Sequence, residues 1–393
     1  MITVAEAKQT IKESCKASEP RRLTLEEAAG LVLAQEVIAP YNIPSFYQSS
    51  MDGYAIAFDD VNVDGTLRIV GESAAGNSTR LSLQPGEACR IFTGAGLPAG
   101  ADTIVIQEKT SISNGLLTIN DPSLKYGQFV RSIGAEILSG QIALPAHHEL
   151  SPASVSYLAA IGIVEVLVYP LPVVTIIVTG NEFQLPGVAP EYGRVFESNS
   201  AGLKAVLSKA GIRNVQVVYV GDALAPTTAA LENALAGSDL VLLTGGVSVG
   251  DYDFVVAAAK ACGIETCFHK IRQKPGKPLY FGLKNNVPVF GLPGNPSSVL
   301  TCFYEYVLLA IETLCRLPLA LKVTRACLRE RIEKPAGLTH FMKAFVANGE
   351  IRALNAQESF RLSSFAKANC LLLVPEETTT VNVGDEVELH MLP

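Results

Sequence analysis

Lysines, aspartates and a run of glycines crowd into residues 240–298, and these are the residue types that hold phosphate and a hard cation. The segment LVLLTGGVSVGDYD at 240–253 begins as a buried strand and stops at Thr244, Gly245 and Gly246. A second small-residue turn carries Ser248 and Gly250, and Asp251 and Asp253 follow. A strand feeding such a turn offers backbone N–H groups to an anion. The two carboxylates suit a cation such as Mg2+, which takes oxygen ligands and substrate phosphates. Taken alone, the same segment also reads as a tight strand-to-helix turn with a solvated acidic edge.

Two neighbouring motifs make the same demand. KPGKP at 274–278 sets Lys274 and Lys277 on a backbone stiffened by two prolines, with Lys270 and Arg272 just before it. Cations on a fixed loop suit phosphate or another oxyanion. VPVFGLPGNPSS at 287–298 is a strand ending in Pro293, Gly294 and Asn295, with Ser297 and Ser298 in the first turn of the next helix. Three anion cradles within residues 244–298 point to a nucleotide- or phosphate-binding face.

The elements that position these groups follow from the apolar periodicity. Strands are expected over 172–180, 215–220, 240–243 and 287–290, alternating with helices over 199–210, 226–236, 254–262 and 297–315. Near-continuous apolar strands between helices predict a parallel sheet covered on both faces. Ligands of such sheets bind beyond the strands' carboxyl ends, where the glycine-rich turns fall. Before this α/β region, helices are expected over 3–18, 25–33 and 151–161, and residues 67–119 read as β. Residues 321–333, 341–346, 369–375 and 386–392 read as strands of a C-terminal β domain.

The chain has 393 residues, is 48% hydrophobic and 18% charged, and carries a formal charge of −7. That length predicts several domains, and the acidic balance argues against nucleic-acid binding. The N-terminus shows no signal core and no apolar run reads as long enough for a membrane span, so a cytoplasmic protein without membrane contact is expected. The eight cysteines form no C-x-x-C pair and are expected to be reduced and mostly buried.

The motifs occur in an order that resembles one family. TGGVSVGDYD, KPGKP and GLPGNPSS together are similar to a molybdenum-cofactor biosynthesis domain. SSMDGYAI at 49–56, RIFTGAGLPAGADTIVIQE at 90–108 and RSIGAEILSGQ at 131–141 resemble the N-terminal region of the MoeA / gephyrin E-domain family, the molybdopterin molybdenumtransferases. QESFRLSSFAKANCLLLVPE at 357–376 and VGDEVEL at 383–389 resemble its C-terminal domain. The resemblance implies a linker and dimerisation domain from residues 1–40 and 130–170, and an inserted β domain over 41–129. It further implies a molybdopterin-binding α/β domain over 171–318 and a C-terminal barrel-like β domain over 319–393. It also implies a homodimer with its active site in a cleft between subunits. The implied reaction inserts molybdate into adenylylated molybdopterin with Mg2+-dependent release of AMP; a molybdopterin adenylyltransferase is the partner that would supply that substrate.

By the same resemblance Asp52, Glu136, Glu182, Lys274 and Lys277 are catalytic, Asp222, Asp251 and Asp253 hold metal, and Ser359 joins the strand-end turns in binding substrate. The chain departs from the family pattern at Ala135 and Asn181, which replace acids, and at Gly221, which takes one place of an acidic pair. A non-catalytic scaffold that keeps the fold is therefore the rival expectation, and molybdate against tungstate stays open.

Overall fold

The computed structural model describes residues 1–62, 65–77, 80–184, 186–246 and 254–393, with the side chain of Asn62 excepted. The chain divides into two units, Met1–Arg21 with Val168–Pro393, and Arg22–Leu167.

The larger unit opens with helix α1 (Val4–Ser14), started by a reciprocal capping box. The Glu6 backbone N–H donates to Thr3 Oγ1 at 3.1 Å, and the Thr3 N–H donates to a Glu6 carboxylate oxygen at 2.7 Å. The helix ends four residues short of the expected Ser18, whose N–H instead donates to the Leu314 carbonyl at 2.8 Å.

The central sheet contains β1 (Val174–Thr179), β2 (Val215–Val220), β3 (Leu240–Thr244), β4 (Glu265–His269), β6 (Tyr280–Lys284) and β7 (Val287–Leu292), with short β5 (Gln273–Lys274) lying outside it. Its order is β2-β1-β3-β7-β6-β4. β1 and β3 are buried at every position, which is why they read as unbroken apolar runs. Helices α2 (Asn199–Lys209), α3 (Leu224–Gly237), α4 (Phe254–Ala261) and α5 (Pro296–Cys315) alternate with the strands. Leu231, Ala258, Val241 and Leu243 share one buried cluster between helices and sheet. Each such fully buried Leu or Val contributes about 1.5–3 kcal/mol.

Only the first four strands in this order pair in parallel. β6 and β4 add an antiparallel edge that the expectation of a parallel sheet omitted. The cause is local: β6 returns directly into β7 through Asn285 and Asn286, with φ of 50° and 67°. Two central residues with positive φ make the tight turn that matches strand twist, and asparagine tolerates them.

Helix α5 is interrupted by a π-turn over Phe303–Val307. It is also, among the described residues, long and apolar enough to cross a membrane, contrary to the expectation that no run qualified. Here 78% of its apolar window is buried inside the protein, the environment of a core helix.

β8 (Lys322–Leu328), β9 (Thr339–Ala347), β10 (Glu350–Ala353), β11 (Cys370–Val374) and β12 (Glu386–Met391) pair in the order β9-β10-β8-β12-β11, and β11 pairs back onto β9. The result is a closed five-stranded barrel around Leu328, Ile351, Leu372 and Leu389, without free edges among these strands. β5 joins it in parallel, Gln273 opposite Thr339 and Lys274 opposite His340. The strand expected over 321–333 breaks after Leu328, and Ile332–Glu333 pairs instead with Thr380–Val381.

The smaller unit holds a six-stranded sheet in the order Thr103–Ile106, Gly53–Ile56, Glu87–Ile91, Thr66–Ser73, Leu116–Ile119 and Thr110–Ser113. Its helix Pro152–Ala160 is capped by Ser151, whose Oγ accepts from Ser154 N–H at 3.1 Å. The helix expected over 25–33 is absent. Thr24 and Glu27 form the reciprocal cap, but one turn later Gly30 takes φ 79° and the chain leaves as strand Val32–Leu33. All eight cysteines are free thiols; Cys327 is exposed, Cys267 half-buried and the others buried.

Candidate active site

The carboxyl ends of β1, β3 and β7 form one side of a cavity of about 520 Å³, within the range of small-molecule sites. Thr179 ends β1, Gly245 and Gly246 follow β3, and Pro293, Gly294 and Asn295 follow β7; all line it. Gly245 sits at φ 86°, and a Cβ there would lie 2.5 Å from the Thr179 carbonyl oxygen, so only glycine lets this turn fold against β1. Thr179 Oγ1 donates to the Thr244 carbonyl at 3.3 Å and ties the two strand ends together.

The facing wall is the loop 273–278, with Lys274 and Lys277 exposed into the cavity. Its cationic character extends backward. His340, opposite Lys274 in the barrel, is pushed down to about 4 by burial and by the Lys334 and Lys274 ammonium groups, so it is neutral at physiological pH. Lys334 is buried and donates to the carbonyls of Leu338 at 2.9 Å and Glu376 at 3.0 Å. An anion at this wall meets two exposed ammonium heads before a buried positive background.

The barrel contributes a third side. Ser359 Oγ accepts from Asn295 Nδ2 at 2.9 Å, and its carbonyl accepts from Ser297 N–H at 3.0 Å, so its loop is bonded to the first turn of α5. Beneath it lies Lys343, a buried ammonium donating to the carbonyls of Ala356 at 2.8 Å, Arg361 at 3.2 Å and Glu358 at 3.3 Å. Burial pushes this lysine below its ordinary range. Gln357 Nε2 donates to the Lys343 and Leu354 carbonyls at 2.8 and 2.7 Å. These bonds hold the loop, and Glu358 and Phe360, standing where the family resemblance leads one to expect glycines, restrict its backbone further.

Among the described residues, the carboxylates of Glu182 and Asp222 line the cavity. The backbone N–H of Asp222 donates to Asn181 Oδ1 at 3.2 Å, and Arg194 donates to the Asn181 carbonyl. A Cβ at Gly221 would lie 2.9 Å from that same Oδ1. The two departures from the family pattern on this side are therefore in contact. Asn181 takes the space beside Gly221 and presents Asp222. The oxygen donors of Glu182 and Asp222 are the kind Mg2+ prefers, though no group of three or more His, Cys, Asp or Glu placed to hold a metal ion occurs among the described residues. Ser248, Gly250, Asp251 and Asp253 lie outside the described residues.

At the strand ends, Thr244 Oγ1, Ser297 Oγ and Asn199 Oδ1 are buried with no hydrogen-bond partner among the described residues. An unpaired buried group costs about 1–3 kcal/mol, and Thr244 and Ser297 directly precede the cavity-lining Gly245 and Ser298. Asn199 Nδ2 meanwhile donates to the Gly294 carbonyl at 2.9 Å. Ser198, which precedes α2, makes no side-chain cap bond; Glu197 does so, accepting from Ser200 N–H at 2.8 Å.

Asp52 and Glu136 belong to the smaller unit. Asp52 Oδ1 accepts from the Thr93 backbone N–H at 2.7 Å and the Thr93 hydroxyl at 2.8 Å, and the backbone bond leads in holding its carboxyl below the usual range. Glu136 is exposed, with its N–H donating to the Ile43 carbonyl at 2.8 Å. Thr93, Gln273, Lys343 and Gln357 were not singled out as functional by the sequence. Thr93 and Gln357 nonetheless fall inside motifs that carried the family resemblance.

A mixed α/β sheet whose strand-end turns, lysine loop and barrel serine loop line one cavity defines a binding protein for an anionic small molecule. Comparison with known proteins agrees. Residues 2–162 match the MoeA N-terminal region (domain I and II), residues 175–313 the probable molybdopterin binding domain, and residues 325–392 the MoeA C-terminal region (domain IV). The molybdopterin molybdenumtransferase of Haemophilus influenzae is 32% identical over 99% of this chain and 98% of its own length. The molybdopterin molybdenumtransferase 2 of Mycobacterium tuberculosis is 32% identical over 99% of both. The crystal structure of the molybdopterin biosynthesis MoeA protein from Pyrococcus horikosii superposes with a TM-score of 0.85 at 27% identity, covering 100% of this chain and 99% of that one. The chain belongs to the molybdopterin molybdenumtransferase (MoeA) family, transferases of molybdenum-cofactor biosynthesis.

Proposed function

We propose that the chain inserts molybdate into adenylylated molybdopterin, with Mg2+-dependent release of AMP, and that the cavity at the ends of β1, β3 and β7 is where the pterin nucleotide binds. One observation carries this reading: three sequence-remote motifs, the strand-end turns, the 274–278 loop and Ser359, line a single cavity. Lys274 and Lys277 bind the phosphoanhydride oxygens and offset the charge that builds as the bond to AMP is hydrolysed. The Gly245–Gly246 and Gly294–Asn295 turns orient the nucleotide through backbone groups. Ser359 presents a hydroxyl to the molybdate side. Glu182 and Asp222, with Asp251 and Asp253, would hold Mg2+, which when bound neutralises phosphate charge. The catalytic roles of Asp52 and Glu136 rest on the family pattern.

A homodimer is part of the proposal. Ile38 and Ile142 are cross-strand partners, yet 41% and 56% exposed, with Tyr41 at 62% and Leu138 at 45% beside them in sequence. An apolar patch of this kind calls for a partner surface. The substrate must come from an enzyme that adenylylates molybdopterin, so a molybdopterin adenylyltransferase is the natural donor. The test is incubation with adenylylated molybdopterin, molybdate and Mg2+, following AMP. Release that needs all three components supports the reading; no AMP above the protein-free rate defeats it.

A further inference from the structure

We propose that Gln273 and Tyr306 are positioning residues for the anion-binding lysines, forming a polar strut under the 274–278 loop; this rests on the reading that Lys274 and Lys277 hold the anionic part of the substrate. Gln273 is wholly buried. Its Nε2 donates to two successive carbonyls of the loop, Pro275 at 3.0 Å and Gly276 at 3.3 Å. Its Oε1 accepts from the Tyr306 hydroxyl. The two carbonyls lie between Lys274 and Lys277, so the amide spans the base of the loop and fixes where both lysine stems begin.

The fit is close. A Cβ at Gly276 would lie 2.8 Å from Gln273 Nε2 and 2.5 Å from Cys302 Sγ, so the loop rests directly on these side chains. The position demands a donor to two carbonyls and an acceptor for a phenol, which a glutamine amide supplies together. Glutamate would set a carboxylate against two carbonyl oxygens, and leucine would leave both carbonyls and the phenol unpaired in a buried place. A lysine would add a third cation beside the other two.

The strut has a footing. Tyr306 is fully buried in the π-turn of α5, and its neighbour Glu305 accepts from Lys8 Nζ at 2.6 Å and His390 Nδ1 at 2.7 Å. The lysine loop is therefore braced by α5, which is itself bonded to α1 and β12. A receptor braced in this way needs little reorganisation when the ligand arrives.

The experiment compares Tyr306→Phe, which removes one oxygen, and Gln273→Glu with the wild-type chain and with a Lys274→Ala/Lys277→Ala double variant. The readouts are KM and kcat for AMP release from adenylylated molybdopterin, and Kd for inorganic pyrophosphate by calorimetry. Tyr306→Phe is expected to raise KM and pyrophosphate Kd about tenfold, with kcat changed by less than about twofold. Gln273→Glu should do more. Placed in the lysine double variant, Tyr306→Phe should add no further loss, because it acts through the lysines. Wild-type KM and Kd in both strut variants, or an equal loss with and without the lysines, overturns the proposal. A lysine double variant with unchanged KM and Kd overturns instead the reading on which it rests.

Discussion

A lysine ammonium on a four-carbon stem is a weak anion receptor until the backbone beneath it is held, and the structure spends its buried polar groups on that task. Lys343 shows the same device under Ser359, its ammonium donating to three carbonyls of the 356–361 loop. Replacing Lys343 with methionine keeps the length and removes the donors. Steady-state assays should show the KM for molybdate raised about tenfold with pterin KM little changed; equal effects on both would remove the serine loop from the molybdate side. The exposed chemistry of this site was legible in the sequence, because lysines between prolines and glycines at strand ends are local signals. Gln273, Lys343 and Thr93 were not, since a buried polar residue is defined by partners such as Tyr306 or the 356–361 carbonyls, which folding alone brings near. Asn181 and Gly221 read as two separate losses of acid and prove to be one contact.

The α/β elements were readable because a strand buried on both faces must be apolar throughout, as β1 and β3 are. The edge strand β4 escaped notice because it is partly exposed and lacks that signature, and β6 because its short run is broken by Gly282 and ends in Lys284. The helix expected over 25–33 does not form, because the Thr24–Glu27 cap holds a turn that Gly30 ends at φ 79°. Helix α5 carries a buried charge cluster that makes its own prediction. Burial opposes the charge of His390, but its bond to Glu305 prevails and raises its pKa above the ordinary 6.5. Burial likewise opposes the charge of Glu305, and the His390 bond with the Lys8 ammonium holds its pKa below the ordinary 4.5. A raised histidine stabilises fully below 6.5 and loses that contribution as pH climbs through its folded value. A lowered carboxyl stabilises above 4.5 and loses its contribution as pH falls through its folded value. The cluster is therefore most stabilising between these ordinary values. Denaturant titration of His390→Gln should show a loss of about 3 kcal/mol near pH 5.5 that shrinks as pH climbs above 6.5 and through the raised folded value. A pH-independent loss would exclude the ion pair as its source.

Across the whole molecule the chain builds two units, and the larger one contains every part of the cavity: sheet ends, lysine loop and barrel serine. The barrel matters to the site because β5 is both its added strand and the start of the lysine loop. The smaller unit holds Asp52 bonded to Thr93, and the apolar patch around Ile38 and Ile142. Charging that patch with Ile142→Asp should convert a dimer to a monomer in sedimentation velocity without lowering the thermal midpoint of the monomer fold. A wild-type chain that sediments as a monomer would remove the dimer from the account. The central claim is that the lysine-lined cavity carries molybdate insertion. It is tested most directly by active molybdenum cofactor formed from adenylylated molybdopterin, molybdate and Mg2+, scored by activation of a cofactor-free molybdoenzyme. The account predicts near-stoichiometric activation by the wild-type chain and a rate lower by about 10²-fold or more in Lys274→Ala/Lys277→Ala, with its fold intact. Wild-type rates from that variant would contradict it.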